Sequence, residues 1–133
     1  MILVDTSVWV DFFRNRSTAQ SDWLDRNIGT EGLVVGDLVL AEVLRGFKDD
    51  RGFEDARRLL GRLEQVTLGG EEFAIEAARN YRRLRKVGVT VRGTVDVMIA
   101  TGCLVNGYRL LHSDRDFDGF VDHLGLRVVN CAV

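Results

Sequence analysis

Five short β-type runs alternate with segments of helical period along this chain, and that alternation restricts the fold more than any other feature. The runs fall at residues 2–4, 33–35, 65–68, 109–112 and 127–129. Between them apolar residues recur at three- and four-residue intervals: Val8, Trp9, Phe12 and Phe13; then Phe53, Ala56, Leu59, Leu60 and Leu63; then Phe73, Ala77, Tyr81 and Leu84. That period lines up one face of a helix. Denser apolar helices are expected over 37–44 and 92–106, and a polar one before the last run. Thr6 or Ser7 is placed to cap the first helix and Asp37 a later one, while Gly46 and Gly107 stand where helices close. Strands that are continuously apolar need cover on both faces. A mainly parallel sheet flanked by helices supplies it, and collects functional groups at the carboxyl ends of its strands.

A chain of 133 residues is long enough for one such core and too short for two, so a single domain is expected over residues 1–133. No apolar run approaches the roughly 20 residues that a membrane helix requires. The N-terminus has no basic leader and meets Asp5 where a signal peptide would continue apolar, which leads us to expect a cytoplasmic protein. The net charge of −2 argues against a protein that coats nucleic acid nonspecifically, so any nucleic-acid contact must be local. Cys103 and Cys131 lack metal-ligand spacing and read as free thiols.

Three acids stand where surface exposure explains them poorly. Asp5 follows directly on Ile2, Leu3 and Val4. Glu42 is the only charge between Leu38 and Leu44, and Asp96 the only charge between Val95 and Ala100. Taking a carboxylate out of water costs several kcal/mol unless a positive partner compensates, so each needs either an arginine or a metal ion. A fourth group, Ser113, Asp114, Arg115 and Asp116, follows the run that ends in Leu110, Leu111 and His112. Converging carboxylates without cysteine or paired histidines favour hard cations, Mg²⁺ or Mn²⁺. The chemistry that uses such a cluster is in-line hydrolysis of phosphodiesters, with cation charge activating water and stabilising the leaving oxygen.

In order and spacing, Asp5-Thr6-Ser7-Val8-Trp9, Glu42-Val43-Leu44-Arg45-Gly46, Asp96-Val97-Met98-Ile99-Ala100 and His112-Ser113-Asp114-Arg115-Asp116-Phe117 resemble the PIN-domain ribonucleases, specifically VapC toxins of VapBC toxin-antitoxin systems. Each motif is weak alone; four in order across the whole chain are specific. The resemblance implies a three-layer α/β/α fold with a five-stranded, mainly parallel sheet in the order 3-2-1-4-5. It implies Mg²⁺- or Mn²⁺-dependent endonucleolytic cleavage of RNA, often tRNA or rRNA, a homodimer, and inhibition by a small VapB antitoxin. Carried over by residue, Asp5, Glu42, Asp96 and Asp114 match the acidic quartet, catalytic and metal-holding, and Asp116 matches an additional metal-side acid. Thr6 and Ser7 take the family's hydroxyl position, where they orient Asp5 or a water, or simply cap the helix. The segment from Arg92 to Val95 resembles only a subset of the family. Arg92 reads equally as a contact for phosphate or an antitoxin carboxylate and as an ordinary helix-start arginine.

Other α/β classes fit poorly. A response-regulator receiver needs an aspartate after the third strand and a lysine after the last, but Leu68 is followed by Gly69 and Gly70, and the lysines are Lys48 and Lys86. A haloacid-dehalogenase-type phosphatase needs a second aspartate where Ser7 stands. A dinucleotide-binding module needs a glycine-rich first turn, which Asp5 to Trp9 does not give. A PIN-like binding module without turnover and a DNA nuclease remain as alternatives. Arg79, Arg82, Arg83, Arg85 and Lys86 form the basic run best suited to a local patch, against the plainer reading of a solvated helix face. Arg14, Arg16 and Arg45 lie near expected site elements, and neither His112 nor His123 is required for the chemistry.

Overall fold

The structure is a computed structural model that describes residues 1–30 and 32–131. Its elements run β1 (Ile2–Val4), α1 (Thr6–Phe13), α2 (Ala19–Asn27), β2 (Leu33–Gly36), α3 (Asp37–Leu44), α4 (Asp50–Gly61), β3 (Glu64–Val66), α5 (Glu71–Lys86), α6 (Thr94–Asn106), β4 (Arg109–Leu111), a 3-10 turn (Arg115–Phe117) and α7 (Asp118–Leu124). The sheet is parallel throughout, in the order β3-β2-β1-β4. Every residue of β1 and β2 is buried, as continuously apolar strands require when both sheet faces are covered. Helices α1 to α4 contact one another in one group and α5 to α7 in a second, which gives the three-layer α/β/α arrangement.

The expected fifth strand is a correction. Residues 127–129 reduce to one parallel bridge, Leu110 with Val128, fixed by Leu110 N–H to the Arg127 carbonyl at 2.9 Å and Val129 N–H to the Leu110 carbonyl at 3.0 Å. The segment does lie beside β4, in the fifth position of the expected order. It fails to extend because β4 offers only three residues, and because Gly125, in the left-handed region at φ 77°, turns the chain so that Leu126 drops into the core first.

The third strand ends earlier than expected, at Val66, and Leu68 leaves the sheet to become a fully buried wedge. A Cβ at either Gly36 or Gly102 would fall on the Leu68 side chain, so two glycines make room for one leucine. Asp37 does not cap α3; Gly36 occupies that position. The Asp37 carboxylate instead accepts from Leu68 N–H at 2.6 Å and fixes the wedge. Helix α2 has no counterpart among the sequence expectations. Only Ser21 and Leu24 are buried on it, and its signal is polar, a reciprocal capping pair between Thr18 and Ser21. Gly107 closes α6 at φ 72°, as expected.

Candidate active site

Four elements deliver the five acids to one edge of the sheet. Asp5 is the first residue beyond β1, and its N–H donates to the Leu111 carbonyl at 2.9 Å, which ties the carboxyl ends of β1 and β4 together. It is 4% exposed. Its side chain, not that of Thr6 or Ser7, caps α1, by accepting from Ser7 N–H at 3.3 Å. Ser7 Oγ donates to the same carboxylate oxygen at 2.7 Å. Burial pushes the Asp5 pKa upward, the Ser7 and Thr6 hydrogen bonds oppose it, and Glu42 adds a smaller rise.

Glu42 projects from the second turn of α3 and accepts from the Thr6 hydroxyl at 2.7 Å. The two hydroxyls at the start of α1 therefore divide their work, Ser7 serving Asp5 and Thr6 serving Glu42. Asp96 lies in the first turn of α6. Burial first, then the charges of Asp5, Asp114, Asp116 and Glu42, raise its pKa to about 6. Its coupling to all four others is the electrostatic signature of a shared site.

Asp114 follows β4 and caps the 3-10 turn by accepting from Asp116 N–H at 2.9 Å. Its own N–H donates to His112 Nδ1 at 3.1 Å, and the His112 ring rests 4.9 Å from that of Phe117. His112 thus braces the turn. Ser113 approaches Ser7 at 3.2 Å between hydroxyl oxygens, a bridge from the Asp114 turn to the Asp5 cap that linear sequence gives no means of finding.

Asp96, Asp114 and Asp116 each place one carboxylate oxygen within 4.8 Å of the other two. All the donors are carboxylate oxygens, the set that hard divalent cations prefer. Ion pairing with arginine, the other explanation for these acids, is not what the fold provides. Among the described residues the ion pairs involve Asp11, Glu54, Asp55 and Glu76, and none reaches the five. Arg16 pairs with Asp11 at 3.7 Å, and Arg14, Arg45 and Arg92 are exposed. The basic run of α5 splits. Arg79 and Arg83 bond Glu76 at 3.2 and 3.0 Å and hold its pKa below the usual range, while Arg85 lies 5.8 Å from the Tyr81 ring centroid. Both cysteines are free, and burial pushes the Cys103 thiol up to about 12.

The family model of the PIN domain matches residues 2–121. The chain belongs to the PIN-domain family. This PIN domain is 32% identical over 120 residues to ribonuclease VapC11 of Mycobacterium tuberculosis, covering 89% of this chain and 90% of that one. It is 25% identical over 127 residues to ribonuclease VapC1 of Methanocaldococcus jannaschii, covering 96% and 85%. Among solved structures, VapBC2 of Rickettsia felis bound to a promoter DNA fragment superposes with a TM-score of 0.76 at 18% identity, covering 98% of each chain. VapC20 of Mycobacterium tuberculosis, a Sarcin-Ricin loop cleaving toxin, gives 0.71 at 19%, covering 98% and 99%. At those identities the solved structures speak for the fold. No helix among the described residues is long and apolar enough to cross a membrane.

Proposed function

We propose that this PIN domain is a Mg²⁺- or Mn²⁺-dependent endoribonuclease toxin of the VapC type, which hydrolyses phosphodiester bonds in tRNA or rRNA. The observation that carries this reading is five carboxylates gathered at the carboxyl ends of β1 and β4 and on α3 and α6, none of them in an ion pair among the described residues. The relatives named as VapC ribonucleases supply the substrate class.

Asp96, Asp114 and Asp116 would hold the cation, with Asp5 and Glu42 completing the acidic wall around it. A divalent ion bound there supplies the charge that favours ionised water and a departing oxyanion. Ser7 keeps the Asp5 carboxylate in one orientation and favours its charged form. Thr6 does the same steric work for Glu42. Such fixed outer contacts are what align ligand oxygens at a metal site. Without cation the cluster repels phosphate, so RNA and metal bind in support of one another. We further propose a single-domain, cytoplasmic homodimer over residues 1–133 that a VapB-type antitoxin neutralises; the solved VapBC assemblies of this fold support the pairing.

Incubating antitoxin-free protein with total tRNA, rRNA and matched single-stranded DNA, with and without Mg²⁺ or Mn²⁺, tests the reading. Metal-dependent cuts confined to RNA are expected. Cuts in DNA would assign a DNA nuclease, and metal binding with no cut in any substrate would assign a binding module.

A further inference from the structure

A cleft of about 420 Å³ opens between α5 and α6, close to the acidic cluster but not part of it. Its floor is apolar, with Val91 and Val97 buried at 4% and 3% exposure and Met98 and Tyr81 beside them. Its lining also takes in the guanidinium-bearing side chains Arg82 and Arg92. The first turn of α6 divides the two sites. Asp96 couples to the other acids, while Thr94, Val97 and Met98, on a different side of the same helix, line the cleft.

The two arginines differ from their neighbours. Arg79 and Arg83 are committed to Glu76, whereas Arg82 and Arg92 are exposed and enter no ion pair or hydrogen bond among the described residues. Arg82 also joins Arg85 and Lys86 around a second hollow, so positive charge continues from the cleft along α5. Arg85, which does not line the cleft, lies over the Tyr81 ring at 5.8 Å from its centroid. An aromatic side chain and a polarizable methionine on an apolar floor, with two uncommitted guanidinium groups, suit a base with phosphates on either side.

We propose that the α5–α6 cleft seats a nucleotide of single-stranded RNA flanking the phosphate that is cut, its base against Tyr81 and Met98 and its phosphates on Arg82 and Arg92. This rests on the reading of the chain as an RNA-cleaving PIN domain, and it makes the cleft the place where sequence or loop preference is set.

The test measures binding apart from cleavage, by fluorescence anisotropy of a labelled mixed-sequence single-stranded oligoribonucleotide with Mg²⁺, on an Asp5→Asn background that leaves the strand whole. Arg82→Ala with Arg92→Ala is expected to weaken binding about tenfold or more and to reduce the slope of log affinity against log salt by about 1.4, the value for two phosphate contacts to a single strand. Tyr81→Leu keeps apolar bulk and is expected to weaken binding about fivefold with the slope unchanged, while Tyr81→Phe restores it. Arg79→Ala with Arg83→Ala removes the same charge and is expected to leave affinity within about twofold. An equal loss in that control, no loss in the Arg82 and Arg92 variant, or no RNA binding by the parent would each overturn the proposal. So would a fall in sedimentation coefficient in the cleft variants alone, which would give the cleft to a second copy of the chain. RNA cleavage by the unsubstituted protein, assayed beside these, separates the two readings: cleavage with unchanged KM in the Arg82 and Arg92 variant removes the cleft assignment and leaves the nuclease standing.

Discussion

The Thr6 hydroxyl donates to Glu42 Oε1 at 2.7 Å, and this one contact joins the start of α1 to the middle of α3 across 36 residues of sequence. Its neighbour Ser7 binds Asp5 by both hydroxyl and backbone N–H. Removing the Thr6 hydroxyl therefore frees Glu42 and leaves Asp5 held. If the acids hold a cation, Thr6→Val is expected to lower metal affinity or turnover about 10- to 100-fold, the usual effect of losing a group that orients a ligand. Thr6→Ser should recover most of it. Titration calorimetry with Mn²⁺ on both variants checks this, and unchanged affinity in Thr6→Val would show that Glu42 needs no holding.

Ser7→Ala should act on acid–base behaviour. The Ser7 hydroxyl lowers the Asp5 pKa against the rise that burial causes, so its loss leaves the carboxyl protonated at higher pH, while the backbone N–H bond from residue 7 remains. The acid limb of the pH–rate profile is expected to move to higher pH in Ser7→Ala. A profile that keeps its position and loses only amplitude would assign Ser7 to geometry alone.

Asp96 links the cluster to stability. Its pKa of about 6 in the fold lies above its ordinary 3.8. Below about pH 4 the acid is protonated folded or unfolded and contributes nothing. As pH rises from 4 to 6 the unfolded chain gives up its proton first, so the metal-free fold loses stability, and the full penalty holds above 6. Asp96→Asn is accordingly expected to stabilise the metal-free protein at pH 7.5 by on the order of 1–2 kcal/mol, discounted for solvent screening, with the difference vanishing near pH 4. Urea unfolding in chelator reads it. A variant less stable than the parent at pH 7.5 would mean that Asp96 has a favourable partner in the fold.

Asp5, Glu42 and Asp96 were legible because each ends or interrupts an apolar run that must be buried, whereas Asp114 and Asp116 stand in a polar turn and were legible only from their place after a strand and from the family motif. The same reasoning could not assign their partners. Thr6 and Ser7 are one residue apart and equally able to cap a helix, and only the approach of α3 gives Thr6 to Glu42. Ser113 meets Ser7 across 106 residues, a distance on which periodicity is silent. Helix α2 was missed because its start is written in Thr18 and Ser21 and not in apolar spacing. The basic run on α5 read either as a local patch or as a solvated helix face, and Glu76 takes Arg79 and Arg83 out of any such patch.

The Leu68 wedge gives a prediction about packing alone. A methyl group at Gly102 meets the Leu68 side chain, so Gly102→Ala is expected to destabilise by about 1–3 kcal/mol. Trimming the wedge makes room, and Gly102→Ala with Leu68→Ala should cost less than the sum of the two single changes. Additive losses in a urea double-mutant cycle would show that the two side chains do not share that space.

Under the proposed function, Asp5, at the end of β1, belongs to the group of acids that cuts RNA. The most direct measurement is the rate of tRNA or rRNA cleavage by Asp5→Asn at saturating Mn²⁺, beside the parent, with circular dichroism showing both folded. Cleavage is expected to fall below detection in the variant while the fold is kept. A folded Asp5→Asn protein that cuts at the parent's rate would contradict a catalytic role for Asp5.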